Sequence, residues 1–258
     1  MRYFCCVGLL IVSGICSTSA HAEAPIARDK SGFYLGGSLG VAKSFGDTKA
    51  STSLGSGSYF VSPDDVQIAA AGNGSLSQSR LSGGVFSGFA KQYGNVVIGT
   101  EVSANSLHSD DSQTQTVTYI SVPSSQFTLR QSAKADWQGT LRLRLGYTRD
   151  GWLAYVTGGA ALTRVKLATS FNDNYLLGAS AQGSESKTKA GWSLGAGGEH
   201  ALSRDWTIRG EYLYANFGRI DNSSVVTNPS SPGLRNVIRN SIDFRTHTLS
   251  IGLVYRFP

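Results

Sequence analysis

The sequence predicts an all-β protein: an eight-stranded antiparallel, up-and-down transmembrane β-barrel with long extracellular loops and short periplasmic turns. Three observations support this fold class. Eight segments alternate apolar with small or polar residues, the period of two that sends successive side chains to opposite faces of a strand. Only 16% of the residues are charged, against roughly 25% in an average soluble domain. Beyond the N-terminal segment, no run approaches the roughly 20 apolar residues that a membrane-spanning helix requires.

The N-terminus has the pattern of a secretory signal peptide. Arg2 precedes an apolar run over residues 3–15, and the small-residue motif Ala20-His21-Ala22 follows it. We therefore predict a signal peptide over residues 1–22, a short periplasmic segment over residues 23–31 and the barrel over residues 32–258. All three cysteines precede the predicted cleavage site, so the exported chain would contain no disulfide and no thiol nucleophile.

The apolar parity of each segment defines a predicted strand. In chain order, the apolar sets are Phe33, Leu35, Leu39 and Val41; Leu81, Val85 and Phe89; Val96, Ile98 and Val102; Trp137, Leu141, Leu143, Leu145 and Tyr147; Trp152, Val156 and Leu162; Trp192, Leu194 and Ala196; Ile208, Tyr212 and Tyr214; and Leu249, Ile251, Leu253, Tyr255 and Phe257. The opposite parity is rich in glycine, serine and threonine and carries the charges of the central spans. One face of every predicted strand is therefore free of charge.

The connections between these strands alternate in length. Tight turns are predicted near residues 91–95, 148–151 and 202–205, and long mobile loops over residues 44–79, 105–133, 168–186 and 219–241, which are rich in Ser, Gly, Asn, Thr and Gln. Short periplasmic turns and long outer loops are typical of outer-membrane barrels. Aromatic residues also gather near the predicted strand ends, as an interfacial girdle requires.

A water-soluble β-sandwich would show a similar alternation, with its apolar face covered by a second sheet. The export signal, the aromatic girdle and the alternating connections favour a barrel with its apolar face against lipid. Such a sheet must close, because lipid cannot satisfy the backbone groups of an open strand edge. The lumen of eight strands is just wide enough for its own side chains.

Inward parity predicts a network of charges inside the lumen. Its expected members are Glu101, Asp136, Arg142, Arg144, Glu199, Arg209, Glu211 and Arg256. Four acids balance four bases, and an unpaired charge in such an interior would cost several kcal/mol. We interpret the set as a structural network, with a narrow ion or proton path as the alternative.

Four basic residues lie on the lipid-facing parity just beyond the apolar bands: Lys43, Arg164, Lys166 and Arg245. At that height they would meet the phosphates of lipopolysaccharide. The alternative is ordinary interfacial snorkelling of long basic side chains without preference for any lipid.

Other kinds of site find little support. His108, Ser109 and Asp110 are consecutive, whereas a catalytic triad needs side chains that converge from separate positions. The acid pairs Asp64-Asp65 and Asp110-Asp111 lack the ligand spacing of a calcium loop, so no metal site is predicted. The net charge of +6 comes without a dense Lys/Arg block, which argues against nucleic-acid binding. We expect no enzyme.

Residues 191–218, GWSLGAGGEHALSRDWTIRGEYLYANFG, resemble the last strands of small outer-membrane barrels known as porin-family or outer-membrane immunogenic proteins. Further echoes are SGFYLGGSLG at 31–40, DWQGTLRLRLGY at 136–147, YVTGGAAL at 155–162 and the closing THTLSIGLVYRF. The resemblance implies an eight-stranded barrel in the cell outer membrane, and some relatives bind hemin. It also implies that Leu249, Ile251, Leu253, Tyr255 and Phe257 form the signal read by the barrel-assembly machinery. Pro258 departs from the family's aromatic terminus.

The sequence thus predicts an integral outer-membrane protein with a structural envelope and surface-display role, a lumen filled by side chains, and contacts with outer-membrane lipids. The first alternative is a surface receptor that binds heme or a host component through its loops. Tyr59, Tyr119, Tyr175 and His108 are available in those loops, although no His/Tyr heme pair stands on a rigid element. The second alternative is a narrow ion channel.

Overall fold

The computed structural model describes residues 29–257. The predicted signal peptide, most of the predicted periplasmic segment and Pro258 lie outside these residues. Among the described residues, no helix is long and apolar enough to cross a bilayer.

Eight antiparallel strands and one short helix make up the fold. They are β1 Gly32–Ser51, α1 Asp64–Gly72, β2 Gly74–Tyr93, β3 Val96–Thr118, β4 Gln126–Arg149, β5 Trp152–Asp173, β6 Ser180–Ala201, β7 Trp206–Thr227 and β8 Arg235–Arg256. Each strand pairs with its neighbour in sequence, and β1 pairs with β8, so the sheet closes into a barrel. The predicted fold class is confirmed.

Tight turns connect the strands at one end of the barrel, as the sequence predicts. Between β4 and β5, Asp150 and Gly151 have φ values of 51° and 81°, and a positive φ at both central residues is typical of two-residue hairpins. Gly94, with φ of 60°, turns β2 into β3. Above this end, a band of exposed apolar side chains encircles the barrel, with Trp206 against Tyr255 at its lower border and Trp192 against Tyr214 at its upper border.

The opposite, outer end differs from the sequence prediction. Most of the residues assigned to mobile loops belong to strands that extend well beyond the apolar band, and the connections themselves span only residues 52–73, 119–125, 174–179 and 228–234. The predicted loop bounds were wrong because they rested on average composition: three of the four connections are at most seven residues long, and residues 52–73 form the one long connection among the four. The outward parity there is mostly polar, while the inward parity carries apolar residues together with buried polar ones such as Gln131, Asn222 and Asn240.

Strand β5 shows this inversion most clearly. Within the apolar band its outward residues, such as Val156 and Leu162, are apolar, and its inward residue Thr157 is polar. Further along the same strand, Lys166 points outward and Phe171 is completely buried. The strand therefore changes from a lipid-facing pattern to the pattern of a water-soluble sheet without changing its alternation.

The outer part of the barrel encloses an apolar interior, which we call the outer core. Its lower layer contains Leu76, Leu107, Val165, Leu167, Phe217, Ile220, Ile242 and Phe244. Its upper layer contains Phe60, Ile68, Tyr119, Phe127, Leu129, Phe171, Val226 and Ile238. In the described ladders, β2 pairs with β3 only up to Gly84–Asn105, and the β6–β7 ladder is interrupted between Ser180 and Trp192. Above the band the ring therefore approaches two four-stranded sheets that pack across this core.

Residues 52–73 fold over the outer end as a lid. Phe60 and Ile68 point down into the outer core, where the ring of Phe60 meets that of Phe171 edge to face at 5.5 Å. Gln67 ties the lid to the 119–125 connection, because its amide donates to the Thr118 carbonyl at 2.9 Å and accepts from the Ile120 amide at 2.9 Å. The outer end is thus a packed, hydrogen-bonded structure.

The outer core gives a direct test of the extended strands. Phe171→Ala would leave a cavity between Phe60 and Phe127, and we expect a loss of about 3–5 kcal/mol in the stability of the outer part. Hydrogen exchange of the β5 and α1 amides in detergent would measure this loss. Val225→Ala, at a half-exposed position, is the matched control and should change little. Equal protection in both variants would mean that the outer part is not packed.

Candidate functional site

A cluster of buried charges fills the lumen at the level of the apolar band, and we call it the lumen network. Its members are Glu101 on β3, Arg142 and Arg144 on β4, Glu199 on β6, Arg209 and Glu211 on β7, and Arg256 on β8; each is at most 9% exposed. Strand register brings them together, since Glu101 stands directly opposite Arg142 and Glu199 directly opposite Arg209. The structure thus gathers seven of the eight charges that sequence parity suggested.

Glu101 contacts three guanidinium groups. Its carboxylate oxygens lie 2.5 Å from Arg142 Nη2, 2.7 Å from Arg209 Nη1 and 3.4 Å from Arg144 Nη1. The Tyr34 hydroxyl donates to the same carboxylate at 2.9 Å. Glu101 is therefore coordinated by two arginines of β4, one arginine of β7 and a tyrosine of β1.

Glu199 has a similar position on the opposite wall. Its carboxylate lies 2.7 Å from Arg144 Nη2, 2.8 Å from Arg209 Nη2 and 3.5 Å from Arg256 Nη2. Arg144 and Arg209 therefore bridge Glu101 and Glu199 across the lumen. Glu211 completes the set, accepting from Arg142 at 2.8 Å.

Aromatic rings line the network, and the charge pattern of the sequence did not reveal them. The Arg144 guanidinium lies 3.8 Å from the centre of the Tyr155 ring, and that of Arg209 lies 4.0 Å from the centre of the Phe86 ring. Stacking of arginine on aromatic faces is favourable and stronger when water is excluded. Gly197 provides the necessary space, because a Cβ there would overlap the Tyr155 hydroxyl. The sequence did contain a signal for this aromatic lining, because tyrosine and phenylalanine on the inward parity of one strand face glycine on the inward parity of the next.

Asp136 does not belong to the network, and this corrects the sequence prediction. The β4–β5 register passes from Ala135–Val165 to Gln138–Thr163, so β4 contains one extra residue in a β-bulge. The bulge reverses parity, leaving the Asp136 side chain 63% exposed on the outer wall, 3.6 Å from Lys134 Nζ. The predicted balance of four acids and four bases is also wrong, since three glutamates face four arginines. The fourth arginine, Arg256, donates to the Lys30 carbonyl at 2.5 Å.

The four basic residues suggested for the upper border of the band all lie on the outer wall. Lys43, Arg164 and Lys166 are exposed, whereas Arg245 is half-buried and forms an ion pair with Asp47. The same bulge that exposes Asp136 also places Lys134 outward, directly across the ladder from Lys166. We call Lys134, Arg164 and Lys166 the rim cluster.

A cavity that the sequence analysis missed lies at the outer tip, and we call it the tip cavity. It has a volume of about 270 Å³ and is bounded by parts of all four outer connections, with Tyr59, Tyr119 and Tyr175 among its walls. The Tyr59 and Tyr119 hydroxyls donate to Asp173 Oδ2 at 3.0 and 2.9 Å. His108, grouped with these tyrosines in the sequence, is instead on the outer face of β3 and does not line the cavity.

The tip cavity does not fit heme. It lies below the range of about 300–1,000 Å³ that is typical of pockets for drug-sized ligands, and a porphyrin is at least as large as such ligands. Burial, reinforced by the Asp173 carboxylate, raises the pKa of Tyr59 and that of Tyr119 far above the ordinary tyrosine value. Both phenols therefore stay protonated and bound to Asp173, and neither is free to become an iron ligand.

Comparison with known proteins agrees with the fold. Residues 8–257 match the family described as outer membrane protein beta-barrel domain. The chain is 33% identical over 267 residues to the 31 kDa outer-membrane immunogenic protein of Brucella melitensis biotype 1, across 96% of this chain and 98% of that relative. It is 27% identical over 225 residues to the 25 kDa outer-membrane immunogenic protein of Brucella abortus biovar 1, across 87% and 79%.

Among solved structures, the outer membrane protein OprG from Pseudomonas aeruginosa aligns with a TM-score of 0.46 at 12% identity, over 88% of this chain and 98% of that chain. Neisserial surface protein A aligns with a TM-score of 0.38 at 16% identity, over 88% and 98%. The match over nearly the whole sequence and the extent of the Brucella similarity establish the family. The chain is an outer-membrane β-barrel protein of Gram-negative bacteria and belongs to the family of the outer-membrane immunogenic proteins.

Proposed function

We propose that the protein is a non-conducting membrane anchor that carries a rigid, water-exposed barrel above the outer membrane as a surface-display structure. The observation that supports this proposal best is the lumen network. Seven buried charges from five strands fill the lumen at the level of the lipid band, and their ion pairs cross it from wall to wall. Breaking one buried pair costs about 3–5 kcal/mol, so the network resists any opening that would let ions pass.

The remaining space in the lumen also supports a plug. The cavity beside Arg142, Arg209 and Glu211 has a volume of about 20 Å³. A single water molecule needs roughly 10–15 Å³ by this measure, so the space suits about one water rather than a column of water. A hydrated ion could pass only if the arginines separated from their glutamates.

The display role is supported by the outer core and by the relatives. The packed core makes the outer part of the barrel a structure of fixed shape, and its outward surface is mostly polar. The Brucella relatives are named immunogenic, which fits a surface presented outside the cell. We also propose that the protein is not an enzyme. His108 and Asp110 point outward from β3 while Ser109 points inward, so these neighbours do not converge.

Planar-bilayer recording tests the plug. The protein lacking residues 1–22, inserted into a bilayer in potassium chloride, should give no steady conductance above the bilayer baseline. Removing two bridging charges together, in Arg144→Ala with Glu199→Ala, should allow current by emptying the centre of the network. Asp136→Asn, which changes an exposed carboxylate, is the control and should leave the baseline unchanged. Steady wild-type steps that change in size with Arg142→Gln would contradict the plug and favour the narrow channel.

We propose further that the rim cluster binds phosphate groups of lipopolysaccharide. The register places Lys134 directly opposite Lys166, and Arg164 follows two residues before Lys166 on the same outward face. Like charges directly across a ladder repel one another, so an anion between them would relieve this repulsion. The cluster lies just above Trp137 and Leu162 in the apolar band, which is the height of lipid phosphates. Arg245 contributes less, because Asp47 forms a close ion pair with it, whereas the Asp136 carboxylate lies 3.6 Å from Lys134 Nζ, near the limit of an ion pair.

The rim proposal predicts a loss of lipid binding. The triple variant Lys134→Gln, Arg164→Gln, Lys166→Gln should bind phosphorylated lipid A about tenfold more weakly, because charge-assisted hydrogen bonds to phosphate are lost. Retention of labelled lipid A by the barrel in nanodiscs would measure this. A matched triple variant, Lys49→Gln, Arg130→Gln, Arg239→Gln, removes the same charge from exposed positions far above the band and should bind normally. Equal weakening in both variants, or equal binding of dephosphorylated lipid A, would remove the proposal.

A further inference from the structure

We propose that the tip cavity is a binding site for small organic ammonium ions, such as quaternary amines that carry an apolar substituent. This proposal goes beyond the anchoring and display role and does not depend on it. It rests on the shape of the cavity, on the charges around it and on its aromatic walls.

The cavity is a built feature of the outer end. Asn228 connects two of its sides, donating to the Tyr59 hydroxyl at 3.1 Å and to the Tyr175 carbonyl at 3.4 Å. The backbone amides of Tyr59 and Phe60 donate to Asn236 at 2.6 and 3.0 Å, which fixes the lid segment that carries the first aromatic wall. The walls are thus held by contacts that do not require a ligand.

Two carboxylates give the cavity a negative potential. Asp64 lines it and is 4% exposed; it accepts hydrogen bonds from the Ser121 hydroxyl at 2.6 Å and the Val61 amide at 3.1 Å. Asp173 lies behind the tyrosines and accepts from their two hydroxyls and from the amides of Tyr175 and Ala179.

The hydroxyls and backbone amides that donate to Asp64 and Asp173 are all neutral. Within the described residues, neither carboxylate forms a salt bridge with a basic side chain, and no residue lining the cavity is lysine or arginine. Burying a carboxylate without a nearby cation is costly. A cationic ligand would provide the positive charge that Asp64 and Asp173 do not receive from the protein, whereas an anionic ligand would be repelled.

The aromatic walls favour an organic cation over a metal ion. The rings of Tyr59 and Tyr175 lie against each other, with centres 6.4 Å apart and planes tilted by 56°, and both residues line the cavity. Because the Tyr59 and Tyr119 hydroxyls donate to a carboxylate, their rings are richer in electrons and attract a cation more strongly. Aromatic cages of this kind recognise quaternary ammonium groups. The cavity offers few oxygen ligands that are not already occupied, which disfavours a bare metal ion.

The entrance suits an apolar substituent. Val61 and Leu176 are 55% and 60% exposed, and Leu234 is 37% exposed; all three border the cavity. Apolar side chains exposed at a polar surface mark contact sites. A ligand with an ammonium head among the tyrosines and a short apolar group at this rim would match both parts of the cavity within its volume of about 270 Å³.

Isothermal titration tests the proposal on the protein lacking residues 1–22, refolded in an uncharged detergent, with folding verified by heat-modifiable gel mobility. The probe is benzyltrimethylammonium, and the comparison probes are benzyl alcohol, methyl glucoside and hemin. We expect saturable binding of the quaternary amine and weaker or no binding of the neutral probes. Asp64→Asn should weaken amine binding by about tenfold, and Tyr175→Leu, which keeps both carboxylates, by about threefold.

Asp110→Asn is the matched control, because it removes an exposed carboxylate from the outer face of β3, and it should bind like the wild type. If Asp64→Asn does not fold, Tyr175→Leu and the neutral probe still decide the matter. Absence of saturable amine binding, equal affinity for benzyl alcohol, or binding of hemin or methyl glucoside alone would overturn the proposal. None of these results would affect the conductance test of the plug.

Discussion

Each strand of this barrel crosses lipid and then water with one alternation of inward and outward side chains. The backbone sends successive side chains to opposite faces, and closure of the barrel keeps one face inside throughout. Near the tight turns the outside is lipid, so the outward set must be apolar, as with Val156 on β5. Above the band the outside is water, and stability has to come from apolar side chains turned inward, as with Phe171. The lumen network and the outer core both follow from this constraint.

Within the lipid band the interior is polar and closely packed, and this makes its charges mutually dependent. Arg144 and Arg209 each contact both Glu101 and Glu199. Removal of any one of these charges therefore leaves another buried charge without a full set of ion-pair partners. The glycines opposite Tyr155 and Phe86 are part of the same arrangement. The lumen is narrow, so a large inward side chain fits only where the residue facing it has no side chain. Both proposed binding sites, the rim cluster and the tip cavity, lie above the lumen network.

The sequence was sufficient for the number of strands, their order, the tight turns and the grouping of Glu101 with the lumen arginines, because all depend on a local period of two. Asp136 could not be placed correctly, since a single extra residue in β4 reverses parity and leaves no mark in composition. The outer strands were mistaken for loops because their inward residues, such as Val165, are diluted by polar outward neighbours. The tip cavity could not be predicted from the sequence, because Tyr59, Tyr119 and Tyr175 are far apart in the chain and come together only when the barrel closes.

Site-specific labelling measures the inversion most directly. The chain without residues 1–22 has no cysteine, so single cysteines can be introduced at Thr169 and Asn172, both on β5 within the segment that the sequence predicts to be a loop and above the rim cluster. Both would be treated with a membrane-impermeant maleimide on intact cells. The structure predicts rapid labelling of Asn172→Cys, which is exposed, and protection of Thr169→Cys, which is 5% exposed on the inward face of the strand. Equal, rapid labelling at both positions would show a mobile loop there and would contradict the account of a strand that serves lipid and water with one alternation.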